Sequence, residues 1–265
     1  MRRPSDYSLL GYRSDTPTMF EPTIPFGEPE LMRVSAFQRY LDDLAGVSGG
    51  PSSRPGALSP SLMADLKRVE ESGRRMDVLE VIAACIRHMQ RVMIHLQSDD
   101  KVLPLTVFAQ ERLVHVPLDM HTFLASRLSE LKVLHVEAAL LRPPGDAEVS
   151  LVAELHQYHP LGPLLWELSM RGTRDELLPE IAGPAAYRVA PSLDLQGVAL
   201  SGSLRSVIER LRRQTTGLRE LSTWPGLDRV RAARLLNALY LHAGLIVSRS
   251  HPDAVGDSWF GGLGR

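Results

Sequence analysis

The spacing of apolar residues changes from helical to strand-like and back several times between residues 60 and 145. Apolar side chains recur every three or four residues through Leu62, Leu66 and Val69, and again from Met76 to Ile86, which predicts two helices. Four strand-like segments follow, with one helix between the third and the fourth: strands at 92–96, 102–108, 113–116 and 131–136, and a helix at 120–128. Because helices and strands are intermixed without a regular β-α-β repeat, we predict an α+β domain with an antiparallel sheet over residues 60–145.

The first two strands are predicted to form a β-hairpin, since Ser98–Lys101 between them is rich in turn residues. Pro104 predicts that the second strand lies at a sheet edge or contains a bulge, because proline cannot donate to a ladder. Three strands carry a histidine, which alternation places on the solvent side, opposite the aliphatic side chains. These histidines are His95, His115 and His135.

Proline and glycine mark residues 1–59 as an N-terminal extension. The segment Ser48–Gly56 has the composition of a linker. Apolar residues at helical spacing from Leu31 to Leu44 predict one amphipathic helix that ends at Gly46. This helix either docks on the chain's own body or presents its apolar stripe to the groove of a partner.

Residues 146–200 are expected to be a helical connector or a second small unit. Apolar spacing predicts helices over Val149–Tyr158, Leu164–Met170 and Arg174–Ile181. A short strand at Ala185–Val189 should follow, between two prolines. The pattern leaves open which kind of unit these elements form.

Residues 201–250 follow the element order of a winged helix. Apolar positions predict helices over 204–211, 218–224 and 230–240, and then a strand at 245–248. Asp228 is a candidate N-cap for the third helix, and Gly244 is a candidate left-handed cap at its end. Because this is the order of a helix-turn-helix variant, we predict a C-terminal winged-helix-like unit.

The last segment, residues 251–265, is rich in glycine and is predicted to be a flexible tail. Two aromatic residues within it, Trp259 and Phe260, are candidates for a docking peptide. Loss of partner binding on deletion of the segment would support that interpretation.

The segment Arg112–His115, within Gln110–Val116, resembles a motif of the PATAN domains of bacterial signalling proteins. The preceding helix and hairpin have the corresponding order, and Ala243–Ile246 resembles the end of the winged-helix-like tail that often follows such domains. This resemblance implies a non-enzymatic interaction module in bacterial signalling or surface motility. It implies no catalytic residue.

Composition is that of a globular protein, with 44% hydrophobic and 23% charged residues. The single cysteine, Cys85, can form neither an intramolecular disulfide nor a zinc site that needs several cysteines. No signal-like apolar run follows Met1, and no apolar run is long enough to span a membrane. We therefore expect a cytoplasmic protein in which Cys85, on an apolar helical stripe, behaves as a small hydrophobic residue.

No motif predicts catalysis, a cofactor or a bound metal. The chain lacks the nucleophile elbow of acyl hydrolases and the glycine loops of nucleotide-binding proteins. His156 and His159 are the closest histidine pair, but Pro160 follows and breaks their helical face. Ser129–Lys132 matches the serine acylase pattern at only two positions. An enzyme with a site assembled from scattered residues remains an alternative. Candidates for such a site are Asp99, Asp100, His115 and His121.

The net charge of −1 conceals a segregation of charge along the chain. Residues 203–250 carry nine basic and three acidic side chains, a net charge of +6, and the remainder carries 21 basic and 28 acidic side chains, a net charge of −7. The candidate contacts for a nucleic acid or another partner are Arg212, Arg213, Arg229, Arg231 and Arg234. Arginines there could contact DNA phosphates and guanine edges, or pair with carboxylates of this chain or of a partner.

These observations favour a non-catalytic bacterial regulatory or adaptor protein that acts through protein-protein interaction. A DNA-binding transcriptional regulator that uses the C-terminal winged helix is the alternative. Fold alone does not decide between them, because winged helices serve both purposes.

Overall fold

Alternating apolar residues build a five-stranded antiparallel sheet in the computed structural model, which describes residues 31–47, 57–71 and 76–250. The strands are β1 (Arg91–Ser98), β2 (Lys101–Phe108), β3 (Leu113–His115), β4 (Lys132–Ala138) and β5 (Tyr158–Pro160). Their spatial order is β4-β1-β2-β3-β5, and every neighbouring pair is antiparallel. The predicted antiparallel sheet is therefore confirmed, with β5 as an additional edge strand.

The predicted hairpin is confirmed, with β1 and β2 paired along their whole length. Pro104 lies opposite His95 in β2, a strand that has neighbours on both sides. β3 pairs with β2 only from Thr106 to Phe108. Pro104 therefore lies where β2 has no partner on that side, and its missing N–H removes no ladder bond to β3.

Eight helices accompany the strands in the described ranges. They are α1 (Val34–Val47), α2 (Pro60–Glu71), α3 (Val78–Arg87), α4 (Met120–Ala125), α5 (Leu161–Arg171), α6 (Gly202–Arg213), α7 (Leu218–Leu221) and α8 (Arg229–Leu241). Buried residues of α2, α3 and α5 belong to the same apolar cluster as Val92, Ile94 and Leu96 of β1. This face of the large sheet is thus the centre of the core.

The opposite face of the sheet is partly covered by α1. Phe37 is buried there, with its ring centroid 4.6 Å from that of His95. Two backbone hydrogen bonds hold the start of the helix to the hairpin, from Val34 N to Asp100 O (2.9 Å) and from Val102 N to Met32 O (2.8 Å). The predicted amphipathic helix therefore docks on the chain's own body.

A second antiparallel sheet, of three strands, lies later in the chain. Its strands are β6 (Ala186–Val189), β7 (Thr216–Gly217) and β8 (Leu245–Ser248), in the order β7-β6-β8. The predicted strands at 185–189 and 245–248 are confirmed. β6 is the central strand, so residues that were predicted to belong to a helical connector or a second small unit supply the middle of this sheet.

The predicted helix over Val149–Tyr158 is wrong. Two short 3-10 turns, Val149–Leu151 and Leu155–Gln157, lead into β5 instead. Tyr158 pairs with His115 of β3, so sheet formation overrides the local helical spacing.

The predicted helix over Arg174–Ile181 is also wrong, because side chains replace its helical hydrogen bonds. Asn237 of α8 accepts from Leu178 N through Oδ1 and donates to Glu176 O through Nδ2, both at 2.9 Å. Arg174 Nη2 donates to Leu177 O at 2.9 Å. The segment is held in an irregular form by these contacts.

The predicted cap is confirmed at the start of α8 and is wrong at its end. Asp228 is its N-cap, as predicted, and accepts from Arg231 N at 2.7 Å. At the other end the left-handed residue is Ala243, with φ of 53°, so the prediction that Gly244 is the left-handed cap is wrong. Gly244 is needed for space instead, because a Cβ there would lie 2.1 Å from Leu193 Cδ1.

One hydrophobic cluster runs through both sheets, from Leu62 of α2 to Leu241 of α8. Cys85 lies within it and is fully buried, as predicted. Arg112, in the turn between β2 and β3, donates to Leu241 O at 2.9 Å and links the large sheet to the end of α8. The predicted α+β class is confirmed. Within the described ranges, no helix has the length and apolar character needed to cross a membrane.

Candidate functional site

Arg234 is used within the chain's own fold. Its guanidinium donates to the carbonyl oxygens of Met170 (3.0 Å), Gly172 (3.1 Å) and Arg174 (3.2 Å), and to the carboxylate of Asp175 (2.8 Å). The first two of these carbonyls lie at the end of α5, where backbone acceptors have no helical donor. The structure therefore places this arginine in a cap of α5, where its guanidinium is already bonded within the fold.

Arg212 is half-buried and donates through Nη1 to Pro191 O at 3.3 Å. Arg213 and Arg229 are exposed and Arg231 is half-buried, and their side chains have no hydrogen bond or ion pair within the described ranges. Two further arginines, at positions 205 and 219, are exposed in the same way, although the sequence did not single them out.

Helix α8 exposes little of its surface. From Ala232 to Leu239 every residue except Arg234 is buried, and the helix packs against α5. Asn237, whose residue type can read adenine, is fully buried and bonded to the irregular 176–178 segment. A helix that reads a major groove needs an exposed face, and α8 offers only its first turn, Arg229–Arg231.

The candidate docking peptide, Trp259 and Phe260, lies outside the described residues, together with the whole predicted tail 251–265. Most of the predicted N-terminal extension, residues 1–30 and 48–56, also lies outside them.

His115 is buried, so the prediction that it faces solvent is wrong. Tyr158 of β5 covers it, with the two ring centroids 5.2 Å apart, and its Nε2 lies 2.9 Å from Gln157 Oε1. Burial lowers the pKa of this imidazole. His95 and His135 face each other across β1 and β4, with ring centroids 5.9 Å apart. Among the described residues, no three His, Cys, Asp or Glu side chains are arranged to hold a metal ion.

The scattered residues proposed for an enzyme site are not brought together. Asp99 and Asp100 form the hairpin turn, whereas His115 lies opposite Thr106, six residues further along β2. At about 3.3 Å per residue the separation is about 20 Å. Ser129 and Lys132, which have the spacing of serine acylases, both line a cleft at the start of β4, but no hydrogen bond joins their side chains.

That cleft, of about 910 Å³, lies between the start of β4 and the start of α3. Its described lining includes six carboxylates and two cations. These are Asp77, Glu80, Asp99, Glu130, Asp175 and Glu176, with Lys132 and Arg174. Asp99, Glu130, Asp175 and Glu176 are exposed. We call this feature the acidic cleft.

Arg174 forms part of the wall of the acidic cleft and is not free to bind a ligand. Its side chain is 8% exposed and donates to Glu80 Oε2 (3.0 Å), Glu176 O (3.1 Å) and Leu177 O (2.9 Å). Asp77 caps α3 through a 3.0 Å hydrogen bond from Leu79 N, and burial raises the pKa of its carboxyl. Because Arg174 and Asp77 are bonded within the fold, the exposed carboxylates of the acidic cleft determine which ligands it can bind.

The segment between β4 and β5 exposes four large apolar side chains. Leu140, Val149, Leu151 and Leu155 are 67%, 74%, 38% and 69% exposed. The described residues include ten exposed large hydrophobic side chains, and four of them fall within these sixteen positions. We call this the 140–155 surface.

The backbone of the 140–155 surface is held in place by polar contacts. The Tyr158 hydroxyl donates to Arg142 O (2.6 Å) and accepts from Ala153 N (3.0 Å), and Arg142 N donates to Leu151 O (2.9 Å). Arg91 of β1 pairs with Asp146 at 3.5 Å. The apolar side chains are therefore presented on an ordered segment.

No family model matches this sequence, and comparison with curated proteins and with solved structures finds no significant similarity.

Sequence reasoning missed both the acidic cleft and the 140–155 surface. The apolar residues of 149–158 fit a helix that would have buried them. The lining of the cleft comes from four separate parts of the chain, at residues 76–80, 97–99, 129–134 and 173–176. The only local signal was the consecutive pair Asp175 and Glu176, which follows a predicted helix start.

Proposed function

We propose that this chain is a non-catalytic adaptor that acts by binding other proteins. The observation that carries the proposal is the 140–155 surface, in which four exposed apolar side chains lie on a segment held by Tyr158 and Arg142. Several large apolar side chains exposed within one ordered segment mark a candidate binding surface. An ordered backbone also reduces the entropy lost on association.

The finer parts of the proposal rest on the sequence. The resemblance to PATAN domains supports a role in bacterial signalling or surface motility, and the composition supports a cytoplasmic location. The order α6-β7-α7-α8-β8 supports a winged-helix-like interpretation of residues 201–250, with β6 as an added central strand. In this proposal the unit is chiefly a scaffold, because its long helix is buried.

The alternative, a DNA-binding regulator, is less well supported by the geometry. Arg213, Arg229 and Arg231 have no partner among the described residues and could contact phosphates. Such contacts carry no sequence information by themselves, and buried α8 offers only its first turn for reading bases. We therefore prefer a protein partner.

The proposal predicts that removing apolar side chains from the 140–155 surface abolishes partner capture. The test variant is Leu140→Ser with Leu155→Ser, and the control is Ile246→Ser, which removes an apolar side chain that is 47% exposed. Each full-length protein is cross-linked and recovered from cells of its native host, and the co-purified proteins are quantified by mass spectrometry.

We expect the wild type and the control to capture the same protein and the double variant to lose it by about tenfold or more, because two buried leucines contribute several kcal/mol at an interface. Equal capture by all three proteins, or no specific capture by the wild type, would contradict the proposal. Circular dichroism verifies that each variant is folded.

A further inference from the structure

Within the described ranges, the outer edge of β4 has no neighbouring strand. There β4 pairs with β1 alone, and the register shift near His95 leaves Leu134 as an extra residue. Ala139 N donates to Arg91 O at 3.2 Å. Because hydrogen-bonded and non-hydrogen-bonded pairs alternate along an antiparallel ladder, this bond fixes which residues of β4 bond to β1. Residues Val136 and Ala138 therefore direct their N–H and C=O groups away from β1. No backbone hydrogen bond to these outward groups lies within the described ranges.

The acidic cleft continues this edge toward the start of the strand. Lys132, Val133 and Leu134 at the start of β4 line part of the cleft. Its other lining residues lie in segments 76–80, 97–99, 129–131 and 173–176. A chain laid along β4 beyond Leu134 would therefore have its next residues inside the cleft. Added strands lie about 4.8 Å from their neighbours, so a cleft of about 910 Å³ has room for one extended segment.

The charge of the lining indicates the chemistry of the occupant. The carboxylates of Asp99 and Glu176 are exposed and have no ion pair among the described residues. Arg174 is bound within the wall, which leaves Lys132 as the exposed cation of the described lining. Arginine or lysine side chains would meet unpaired carboxylates there, and arginine can form paired hydrogen bonds with them.

The chain's own termini do not fit this requirement. Residues 1–30 contain three arginines and five acidic residues, and residues 251–265 contain one arginine and two aspartates. Both segments are therefore net acidic. Neither terminus therefore supplies a basic strand.

We propose that an extended segment of a partner protein, carrying arginine or lysine, binds as a sixth strand along the outer edge of β4 and places its basic side chains in the acidic cleft. Backbone hydrogen bonds to Val136 and Ala138 provide affinity, and the carboxylates provide selectivity, as in other complexes formed by strand addition. This inference rests on the proposed adaptor function and names the chemistry of one partner.

The test uses a fluorescein-labelled ten-residue peptide of alternating arginine and threonine, titrated with the full chain at about 50 mM salt and followed by fluorescence anisotropy. Two comparison peptides keep the length: one replaces arginine with glutamate, and the other carries N-methyl groups on alternate backbone amides. We expect the first peptide alone to bind, because only it has both the charge and the free N–H groups.

Two variants separate the contributions of charge and strand edge. Asp99→Asn with Glu176→Gln should weaken binding of the arginine peptide by about five- to tenfold, since each exposed ion pair contributes up to about 1 kcal/mol. Asp42→Asn with Asp43→Asn makes the same charge change on exposed positions of α1 and should leave binding unchanged. Val136→Pro removes an outward N–H that β1 does not use and should abolish binding while circular dichroism remains that of the wild type.

Absence of binding by the wild type, equal binding of the N-methylated peptide, or equal effects of the two charge variants would overturn the inference. A concentration-dependent dimer that Val136→Pro disrupts would assign the edge to a second copy of this chain and would also overturn it. Protein capture that depends on Leu140 and Leu155 is measured separately, so loss of peptide binding alone leaves the proposed function intact.

Discussion

His115 has an incomplete set of hydrogen bonds in a buried position. Its Nε2 lies 2.9 Å from Gln157 Oε1, an acceptor, so Nε2 carries the proton. Its Nδ1 is buried and has no hydrogen-bond partner. Protonation at Nδ1 would bury a cation whose new N–H has no acceptor. Burial disfavours the charged imidazolium and so lowers the pKa of His115 below its usual value.

The lowered pKa predicts that the folded chain loses stability in acid. Above about pH 6.5 the imidazole is neutral in both states, whereas below it the unfolded chain takes up the proton first, so the free energy of unfolding falls as pH falls. Between pH 7 and 5.5 the loss from His115 is expected to be at most about 1 kcal/mol, measured by urea denaturation at the two pH values.

His115→Gln should reduce this pH dependence, and His121→Gln, at an exposed position of α4, should leave it unchanged. His135, His159 and His242 also have pKa values lowered by burial, so some dependence will persist in the variant. The same slope in His115→Gln and the wild type would show that His115 does not contribute.

For single residues, the sequence predicts the burial of some side chains and not of others. Cys85 lies on an apolar helical stripe, and its predicted burial is confirmed; that burial raises the pKa of its thiol to about 12. His115 alternates as a solvent-facing residue would, but Tyr158, forty-three residues later, covers that face. The alternation of neighbouring residues along a strand cannot reveal a contact with a residue so far away in the sequence.

The hydrogen bonds that cap helix ends are predictable from the sequence in some cases and not in others. The cap at Asp228 follows from residue type and position alone and was predictable. Arg234 serves the end of a different helix, α5, and is recognisable only when α5 and α8 are packed together. The irregular form of segment 174–181 was not predictable for the same reason. Its backbone forms hydrogen bonds with the side chains of Arg174 and of Asn237, and Asn237 lies far away in the sequence.

Replacement by alanine is predicted to change stability very differently at two glycines, Gly244 in the turn after α8 and Gly202 at the start of α6. Gly244→Ala should destabilise the fold by about 1–3 kcal/mol, because its Cβ would overlap the side chain of Leu193 and the core would have to shift. Gly202→Ala, at the start of α6 with no atom within 4 Å of the added Cβ, should be neutral or stabilising by up to about 1 kcal/mol. Urea denaturation of both variants measures the difference. Equal stabilities would mean that Leu193 can move aside without cost.

At the scale of the whole molecule, both sheets share one core. The apolar cluster includes residues of the large sheet, of α5 and α8, and of β6. The sequence suggested boundaries near residues 145 and 200, where proline and glycine interrupt the pattern. β5 and β6 lie between those boundaries and join one sheet each. Local breakers mark turns in the chain, but they do not show which sheet a strand will join.

The shared core predicts a single cooperative unfolding unit for the two sheets. Native-state hydrogen exchange followed by mass spectrometry should give the slowest amides of β1, β2 and β6 the same opening free energy, within about 1 kcal/mol. In urea these amides should lose protection together. Loss of protection in β6 at a lower urea concentration than in β1 would instead show two separable domains.

The packing of α8 on α5 also has a consequence for biosynthesis. The surface of α5 that α8 covers is synthesised early, and about 70 residues separate Arg171 from Leu241, where α8 ends. At synthesis rates of about 5–20 residues per second, this surface stays uncovered on the ribosome for roughly 4–14 seconds. During that interval α5, whose Leu164, Leu165 and Leu168 are buried in the finished fold, lacks the packing of α8, and this is the period in which a chaperone would be of most use to the chain.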